Sequence, residues 1–374
     1  MRSLNRVTIS RAALIHNFSL CRQLAGGAAI LPLVKADAYG HGLIDCARLF
    51  AEQGAAAFGV AEVVEGIRLR QAGITQPVLV LAGVIPQTLE ALVEADLTPV
   101  LVDASLVAAL SRVAAQQGKV VDVHLKLDAG MGRQGMLPED FAATVQAVQN
   151  AANLHLTGVM AHLPMADDRQ SSNSAEVLRS FVRTTDQLKA LIKGKCCLHL
   201  ANSGGLFYVA GARLDMVRPG IALYGYYPDG ATGRAEARPP LLQPAMRMST
   251  RVLQVREVPA GKGLGYSHLA TTTRPSTLAV IPVGYDDGYL RSLTNRAEAL
   301  VNGRRAPLLG RISMNLSLVD VTGLGTVQPG DEVVLLGRQG SEEITADELA
   351  TWMGTINYEV LCLLGNLNDR EMVD

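Results

Sequence analysis

Residues 30–42 read ILPLVKADAYGHG, an apolar run at Ile30–Val34 that ends on a lysine and continues into a polar, glycine-bearing loop. The run has the length and β-branched character of a buried strand, and a loop that turns polar at the strand end suits the start of a βα unit. Lys35 stands at that junction. An ammonium is costly to bury unpaired, so a lysine behind an apolar strand shifts toward the neutral amine, the form that attacks an aldehyde carbonyl. Gly40 and Gly42 permit tight backbone, and Tyr39 and His41 place polar groups beside the lysine.

The same pattern recurs outward from this stretch. Short apolar strands are predicted at Ile30–Val34, Ala56–Val60, Val78–Leu81, Thr98–Val102, Val120–Leu127, Leu154–Ala161, Cys197–Leu200 and Arg213–Val217. Helix-like segments lie between them, among them Ala61–Ala72, Ala104–Gln117, Pro138–Asn150 and Ser174–Ile192. Eight alternating units point to an α/β protein with a TIM-like (β/α)8 barrel; an open, doubly wound sheet is the alternative with the same periodicity.

The rhythm stops at Pro228–Gln243, PDGATGRAEARPPLLQ, where Pro, Gly and charged residues replace it. The reading is a barrel domain over 1–240 and a mainly β domain over 241–374, with extended stretches at Met246–Val258, Thr277–Val283, Ala299–Val321 and Glu332–Leu336. One helix, Ala346–Met353, is predicted there with Thr345 as its N-cap. Arg6–Ser10 also reads as a strand, one able to pair with the second domain instead of the barrel.

Composition narrows the function. Lys plus Arg number 34 against 35 Asp plus Glu, and no basic block stands out, so nucleic acid is not an expected partner. Five cysteines without metal-ligand spacing read as reduced thiols of a cytoplasmic enzyme, and no metal site is expected. Arg2, Arg6, Arg11, His16 and Arg22 interrupt the N-terminal stretch, so neither a signal peptide nor a membrane span is expected.

Barrels carry their chemistry at the carboxyl ends of the strands. In this register Lys35, the Lys126–Arg133 segment, His162, Asn202–Ser203 and Arg218 follow five of the strands. The loops Asn202-Ser203-Gly204-Gly205 and Arg218-Pro219-Gly220-Ile221 follow strands seven and eight, where barrels commonly seat a phosphate on backbone amides. A phosphate there lies within reach of Lys35, as a lysine-bound pyridoxal phosphate requires.

The segments VKADAYGHG, HLKLDAGMGRQG, GVMAHLPMADD, LANSGG, DMVRPGIALYG, GLGYS, PVGYDDGY, LLGRISMN and TINYEVLC, in this order, resemble the alanine racemase family over nearly the whole chain. The resemblance implies pyridoxal 5'-phosphate on Lys35 and a second catalytic acid/base at Tyr266. It implies phosphate contacts from Tyr39, Ser203, Gly220, Ile221 and Tyr358, and Arg218 at the pyridine nitrogen with His199 behind it. Arg133 is implied near the phenolic oxygen and the substrate, His162 beside the ring, and Lys126 as a carbamylated lysine orienting Arg133. Met314 is implied at the substrate, with Asp167, Tyr285, Arg291 and Arg311 along the entrance. A homodimer with shared active sites and a small amino acid as substrate are further implications.

The chemistry agrees with this set. Racemisation removes a proton from one face of a planar centre and returns one to the other, which needs two acid/base groups, here Lys35 and Tyr266. Arginine stays protonated and can only donate, so Arg218 would leave the pyridine nitrogen unprotonated and shorten the life of a carbanion. That favours racemisation over amino transfer. Departures from the family pattern are Asn315 after Met314, Ser267 and His268 after Tyr266, and Pro164 and Met165 in a rim loop. They leave a broader or serine-directed racemase open. A decarboxylase on the same plan would present a cysteine as its second acid; Cys362 follows NYEV but sits apart from GLGYS. A non-catalytic pyridoxal-phosphate protein would resemble the barrel alone.

Overall fold

A computed structural model of the chain describes residues 3–374, so Arg2, counted above among the N-terminal charges, lies outside the described residues. The first strand, β1 (Arg6–Ser10), precedes eight others: β2 (Ala29–Ile30), β3 (Phe58–Val60), β4 (Val78–Val80), β5 (Thr98–Leu101), β6 (Val121–Lys126), β7 (Leu154–Met160), β8 (Cys197–His199) and β9 (Met216–Val217). Strands β2 to β9 pair in parallel, in the order β2-β9-β8-β7-β6-β5-β4-β3. The two ends of that order meet. Leu33 bridges Gly59, with Val34 N donating to Gly59 O and Gly59 N to Pro32 O, each at 2.9 Å. The sheet is therefore a TIM-like barrel and not an open doubly wound sheet.

All eight predicted strands are present, each shorter than the stretch read from the sequence, β2 and β9 most of all. Pro32 has no N–H to give toward β3, so β2 is regular only to Ile30, while on the β9 side the ladder goes on through Leu31 N to Val217 O and Leu33 N to Pro219 O, each at 2.9 Å. Pro138–Asn150 is helical over the range read from the sequence, while the segment read as Ser174–Ile192 is helical over Asn173–Leu188. Ser10 ends β1 and caps the helix Arg11–Ala25, its hydroxyl accepting from Ala13 N at 3.1 Å.

β1 does not enter the barrel. It runs antiparallel to β10 (Met246–Arg251) and parallel to Arg370–Val373 in a seven-stranded sheet, with Val7 opposite both Met248 and Arg370. Its alternation buries Val7 and Ile9 at 1% exposure each. The stretch Met246–Val258 is two strands in two sheets, β10 and Gln254–Val258. Ala299–Val321 likewise divides: Glu298–Val301 and Arg304–Pro307 form a hairpin whose two-residue turn is Asn302-Gly303, both at positive φ. Ala346–Met353 is a helix with Thr345 as its N-cap, and Glu348 completes a capping box. A second helix, Asn357–Asn366, follows the left-handed Gly354 turn.

This last helix packs on the loop after β2 with no room for a side chain. A Cβ on Gly365 would lie 2.0 Å from Gly40 O, and one on Gly40 would lie 2.4 Å from Leu361 O. The second domain thus holds the loop that begins with Lys35.

Candidate active site

Lys35 opens a turn of left-handed helix. Ala36, Asp37, Ala38 and Tyr39 all have φ between 52° and 55°, a region that costs a residue with a Cβ roughly 1–2 kcal/mol each. Surrounding groups hold it there. Ala36 N donates to Glu65 Oε1 at 2.7 Å, Leu43 N to Asp37 Oδ1 at 2.9 Å, and Ala38 N to Val34 O at 2.8 Å. Arg370 pairs with the Asp37 carboxylate and donates to Gly40 O at 3.1 Å. Beneath the turn, Tyr39 stacks on Tyr224 at 5.0 Å and His41 on the same ring at 4.5 Å. Tyr224 in turn donates to Leu33 O at 2.8 Å.

The lysine faces a cavity of about 420 Å³ at the carboxyl ends of the strands, lined by Leu33, Lys35, Ala61, Leu81, Ala82, Lys126, Arg133, Gln134, Met160, His162 and Arg218. Larger hollows of about 880 and 580 Å³ lie elsewhere, beside Pro240–Arg247 and beside Asp167–Gln170. The smaller cavity is the candidate chemical centre because two lysines, two arginines and a histidine line it. Burial, then the Arg133 charge, lowers the Lys35 pKa against an opposing pull from Glu65, so its amine is a better nucleophile than an ordinary lysine. Burial pushes Lys126 down to about 8, with Arg133 and Arg218 adding to the effect, and its Nζ donates to Gln134 Oε1 at 2.8 Å. His162 is pushed down to about 3, by burial first and then by Arg218, and is neutral.

Arg218 is 1% exposed at the wall of the cavity, with three of its five N–H donors bonded. Its Nη2 donates to Ala161 O at 2.8 Å and Leu200 O at 3.0 Å, and its Nη1 to His199 Nδ1 at 3.1 Å. Burial takes its pKa down to about 10, which leaves it positive near neutrality. Guanidinium only donates, so His199 Nδ1 is the acceptor; the buried ring is neutral, so its Nε2–H donates to His124 Nδ1 at 2.8 Å. One fixed chain, Arg218–His199–His124, results. Sequence reasoning did not single out His124, yet it stands two residues before Lys126 on one strand, and period two puts both on the inner face. Gln134, also passed over, lies inside the quoted GMGRQG segment and ties Lys126 to the barrel through its Nε2, which donates to Ala82 O at 2.6 Å.

At the β8 and β9 ends, Ser203 is 3% exposed and its Oγ accepts from Gly220 N at 3.0 Å and Ala222 N at 3.3 Å. A Cβ on Gly220 would come 2.3 Å from Tyr39 Oη, so the phenol reaches these loops only because that residue is glycine. Ile221 is buried next to it, and the Tyr358 ring lies 6.0 Å from that of Tyr39. A hydroxyl, a phenol and backbone amides meeting in a cradle suit a phosphate group.

The remaining residues stand apart from the cavity lining. Tyr266 is 69% exposed on a short helical turn between Gly263–Leu264 and Ala270–Thr271, and Met314 is 53% exposed in a neighbouring loop. The tip carries positive φ at Gly265, Ser267 and His268, and a Cβ on Gly265 would lie 3.3 Å from Arg311 N. Tyr285 N donates to Ser313 O at 3.1 Å, which seats Tyr285 beside Met314; Asn315 Nδ2 donates to Asp286 Oδ2 at 3.2 Å. Arg291 is exposed on the same domain, and Asp167 borders the 580 Å³ cleft, beyond the half-buried Pro164 and exposed Met165. Cys362 lies close enough to Lys35 for their charges to interact, and burial raises its thiol pKa.

Comparison with known proteins agrees with this geometry. Residues 9–228 match the family model of the alanine racemase N-terminal domain and residues 245–372 that of the C-terminal domain. The chain is 40% identical over 369 residues to an alanine racemase of Thermodesulfovibrio yellowstonii, covering 98% of this chain and 96% of that protein. Among solved structures, an alanine racemase of Streptomyces coelicolor superposes with a TM-score of 0.93 at 33% identity, covering 99% of this chain and 98% of that one. One from Bartonella henselae, described with covalently bound pyridoxal phosphate, superposes with a TM-score of 0.88 at 29% identity, covering 99% of each chain.

Proposed function

The chain belongs to the alanine racemase family, and from that premise we infer that it interconverts L-alanine and D-alanine with pyridoxal 5'-phosphate. The observation that carries the reading is Lys35, partly buried at the head of a strained turn and facing a cavity that Arg218 also lines. Its residues fit the cofactor: Lys35 to bond it, Tyr39, Ser203, Gly220, Ile221 and Tyr358 to hold its phosphate, Arg218 to donate to its ring nitrogen, His162 to flank the ring. Bound there, the cofactor supplies an electron sink that lowers the barrier to removing the substrate's α-proton.

The chain's own groups do the rest. Lys35, once its amine is free, takes or returns a proton on one face. Tyr266 serves the other. Arg133 and Met314 contact the substrate, and Asp167, Tyr285, Arg291 and Arg311 line the way in. With Tyr266 exposed on the second domain and absent from the cavity lining, the reading supplies it from a second copy: in a homodimer, Tyr266 of the partner subunit closes each barrel mouth. Lys126 is the carbamylation site, because a lysine with a lowered pKa offers the neutral amine that attacks the carbon of carbon dioxide and releases a proton, and the carbamate would place an anion beside Arg133.

The match over residues 245–372 argues against a barrel-only cofactor carrier. Among the described residues no helix is long and apolar enough to cross a membrane, and the proposed place of work is the cytoplasm, supplying D-alanine for cell-wall peptide. The test is borohydride reduction of the holoenzyme followed by peptide mass spectrometry, with racemisation assayed on alanine, serine and larger amino acids. The cofactor is expected on Lys35 and the highest kcat/KM on alanine. A reduced adduct on another lysine would sink the assignment of Lys35, and serine as the better substrate would overturn the alanine reading.

A further inference from the structure

The cleft of about 580 Å³ between the Asp167–Gln170 loop and the C-terminal helices is lined by two side chains whose hydrogen bonding is incomplete. Asp347, in the first turn of Ala346–Met353, and Asn357, the first residue of Asn357–Asn366, are 6% and 4% exposed. Asn357 Nδ2 donates to Asp347 Oδ1 at 2.7 Å and to Tyr227 O at 3.3 Å. Both of those atoms accept, so the orientation of the amide is fixed with its nitrogen toward them. The other two oxygens, Asp347 Oδ2 and Asn357 Oδ1, are buried and have no partner. Two buried acceptors without a donor, on residues already joined by one hydrogen bond, are costly.

Among the described residues, the cation facing Asp347 is already paired. The charged groups that face Asp347 are Arg234 from the helix Ala231–Glu236, Asp229 from the loop before it, and Glu348 on its own helix. Arg234 is bound to Glu343 at 2.8 Å, Asp229 to Arg169 at 2.6 Å, and Glu348 to Arg305 at 2.8 Å. The phenol of Tyr226 accepts from Ala346 N at 3.3 Å and is buried and neutral. A proton on Asp347 Oδ2, donated to Asn357 Oδ1, would satisfy both.

We propose that Asp347 is held as the neutral acid, its Oδ2–H donating to Asn357 Oδ1, and that this acid–amide pair positions Tyr358 and, through the same helix, the Lys35 loop. Burial raises the pKa of the carboxyl in the sense this requires. The next residue, Tyr358, sits against Tyr39, and Gly365 of that helix presses on Gly40, so loosening the first turn loosens the cradle from two sides. Its effect on the cofactor rests on the reading above; the protonation state does not.

The sign of the pH dependence follows. A carboxyl whose pKa is raised by folding stabilises the fold fully below its unfolded pKa of about 3.9, and that contribution is lost as pH rises toward the folded value. The test compares holoenzyme Tm from acid to mildly alkaline pH in the wild type, Asp347→Asn and Asp347→Ala. An amide at 347 donates as the neutral acid does and does not titrate. Wild type and Asp347→Asn should match in acid, and the wild type should then fall by roughly 1–3 °C per pH unit relative to the variant. The infrared difference between the two should contain the carbonyl band of a protonated carboxylic acid. Asp347→Ala and Asn357→Ala should lose cofactor several-fold faster, with Asp347→Asn restoring retention. A pH-independent gap with no acid band, and Asp347→Asn as damaged as Asp347→Ala, would mean an ionised Asp347 and overturn the proposal. Unchanged cofactor retention in Asp347→Ala would overturn its positioning role, while borohydride trapping at Lys35 in the same sample would leave the cofactor assignment standing.

Discussion

Arg218 and Tyr266 belong to the same proposed site and have opposite surroundings. Arg218 is 1% exposed, three of its five N–H donors already held by His199, Ala161 and Leu200, whereas Tyr266 is 69% exposed at the tip of a hairpin. The barrel half of the site is preorganised by its own chain. The second-domain half is displayed, and the neighbouring loops display apolar surface with it: Leu269, Met314 and Leu316 are 47%, 53% and 46% exposed. A group proposed to hold one orientation toward the cofactor ring is buried and bonded, while a group proposed to enter another subunit's cavity has to be exposed on its own chain. The contrast predicts that barrel residues carry stability and function together, and Tyr266 function alone.

The largest effects test that division directly. Lys35→Ala should abolish covalent cofactor binding and racemisation together. Tyr266→Ala should keep the cofactor and lose about 10²–10⁴-fold in racemisation, the usual worth of a positioned acid/base. The family resemblance implies that Lys35 takes the α-proton of D-alanine and Tyr266 that of L-alanine, so in deuterated water this variant should still exchange the α-proton of D-alanine faster. Mixing the two inactive proteins should restore activity in heterodimers, because one site then holds both an intact Lys35 and an intact Tyr266. No rescue with heterodimers demonstrably formed would place both residues on one chain's site and erase the distinction between the two regions.

A smaller effect separates them by stability. Arg218→Ala leaves Ala161 O, Leu200 O and His199 Nδ1 without their donor, and removing one member of a buried, hydrogen-bonded charged set typically costs about 3–5 kcal/mol. Tyr266→Ala removes an exposed ring and should change stability by no more than about 0.5 kcal/mol. Urea unfolding of both variants, monitored by far-ultraviolet circular dichroism without added cofactor, measures the pair. Equal losses would show that the Tyr266 hairpin is as much a part of the folded framework as the Arg218 cluster.

The sequence made the same two regions unequally legible. Parallel strands buried on both faces appear as apolar runs, so the eight barrel strands and their polar ends could be counted from periodicity. The second domain resisted that treatment: Met246–Val258 and Ala299–Val321 read as continuous extended stretches because a tight hairpin such as Asn302-Gly303 interrupts hydrophobicity for only two residues. The left-handed turn over Ala36–Tyr39 was not legible at all, since none of the four is glycine and the conformation is imposed by Glu65, Asp37 and Arg370, the last 330 residues beyond Gly40, whose carbonyl it binds. His124 and Gln134 were legible in principle, from strand period and from proximity to Lys126. Asp347 and Asn357 were not, because a missing hydrogen-bond partner is a property of the packed molecule.

The smallest effect concerns Lys126, which belongs to the buried half yet is only partly neutralised there. An ordinary lysine is half neutral near pH 10.4, whereas Lys126, pushed down to about 8, is half neutral more than two units lower. Carbon dioxide reacts with the neutral amine alone, so carbamylation of this side chain should rise through the range around pH 8, where most other lysines remain protonated. With ¹³C-bicarbonate, one protein-bound carbamate resonance should grow over that range and vanish in Lys126→Ala. The anion would sit between Lys126 and the positive charges of Arg133 and Arg218, and racemisation in bicarbonate-depleted buffer should fall only a few-fold, mainly through KM, because Arg133 would lose an orienting partner and not its charge. A resonance that survives Lys126→Ala would place the carbamate on another amine. Racemisation indifferent to bicarbonate, with the resonance present, would leave the carbamate without a part in holding Arg133, and Gln134, already bonded to Lys126 at 2.8 Å, would then be the sufficient partner for that lysine.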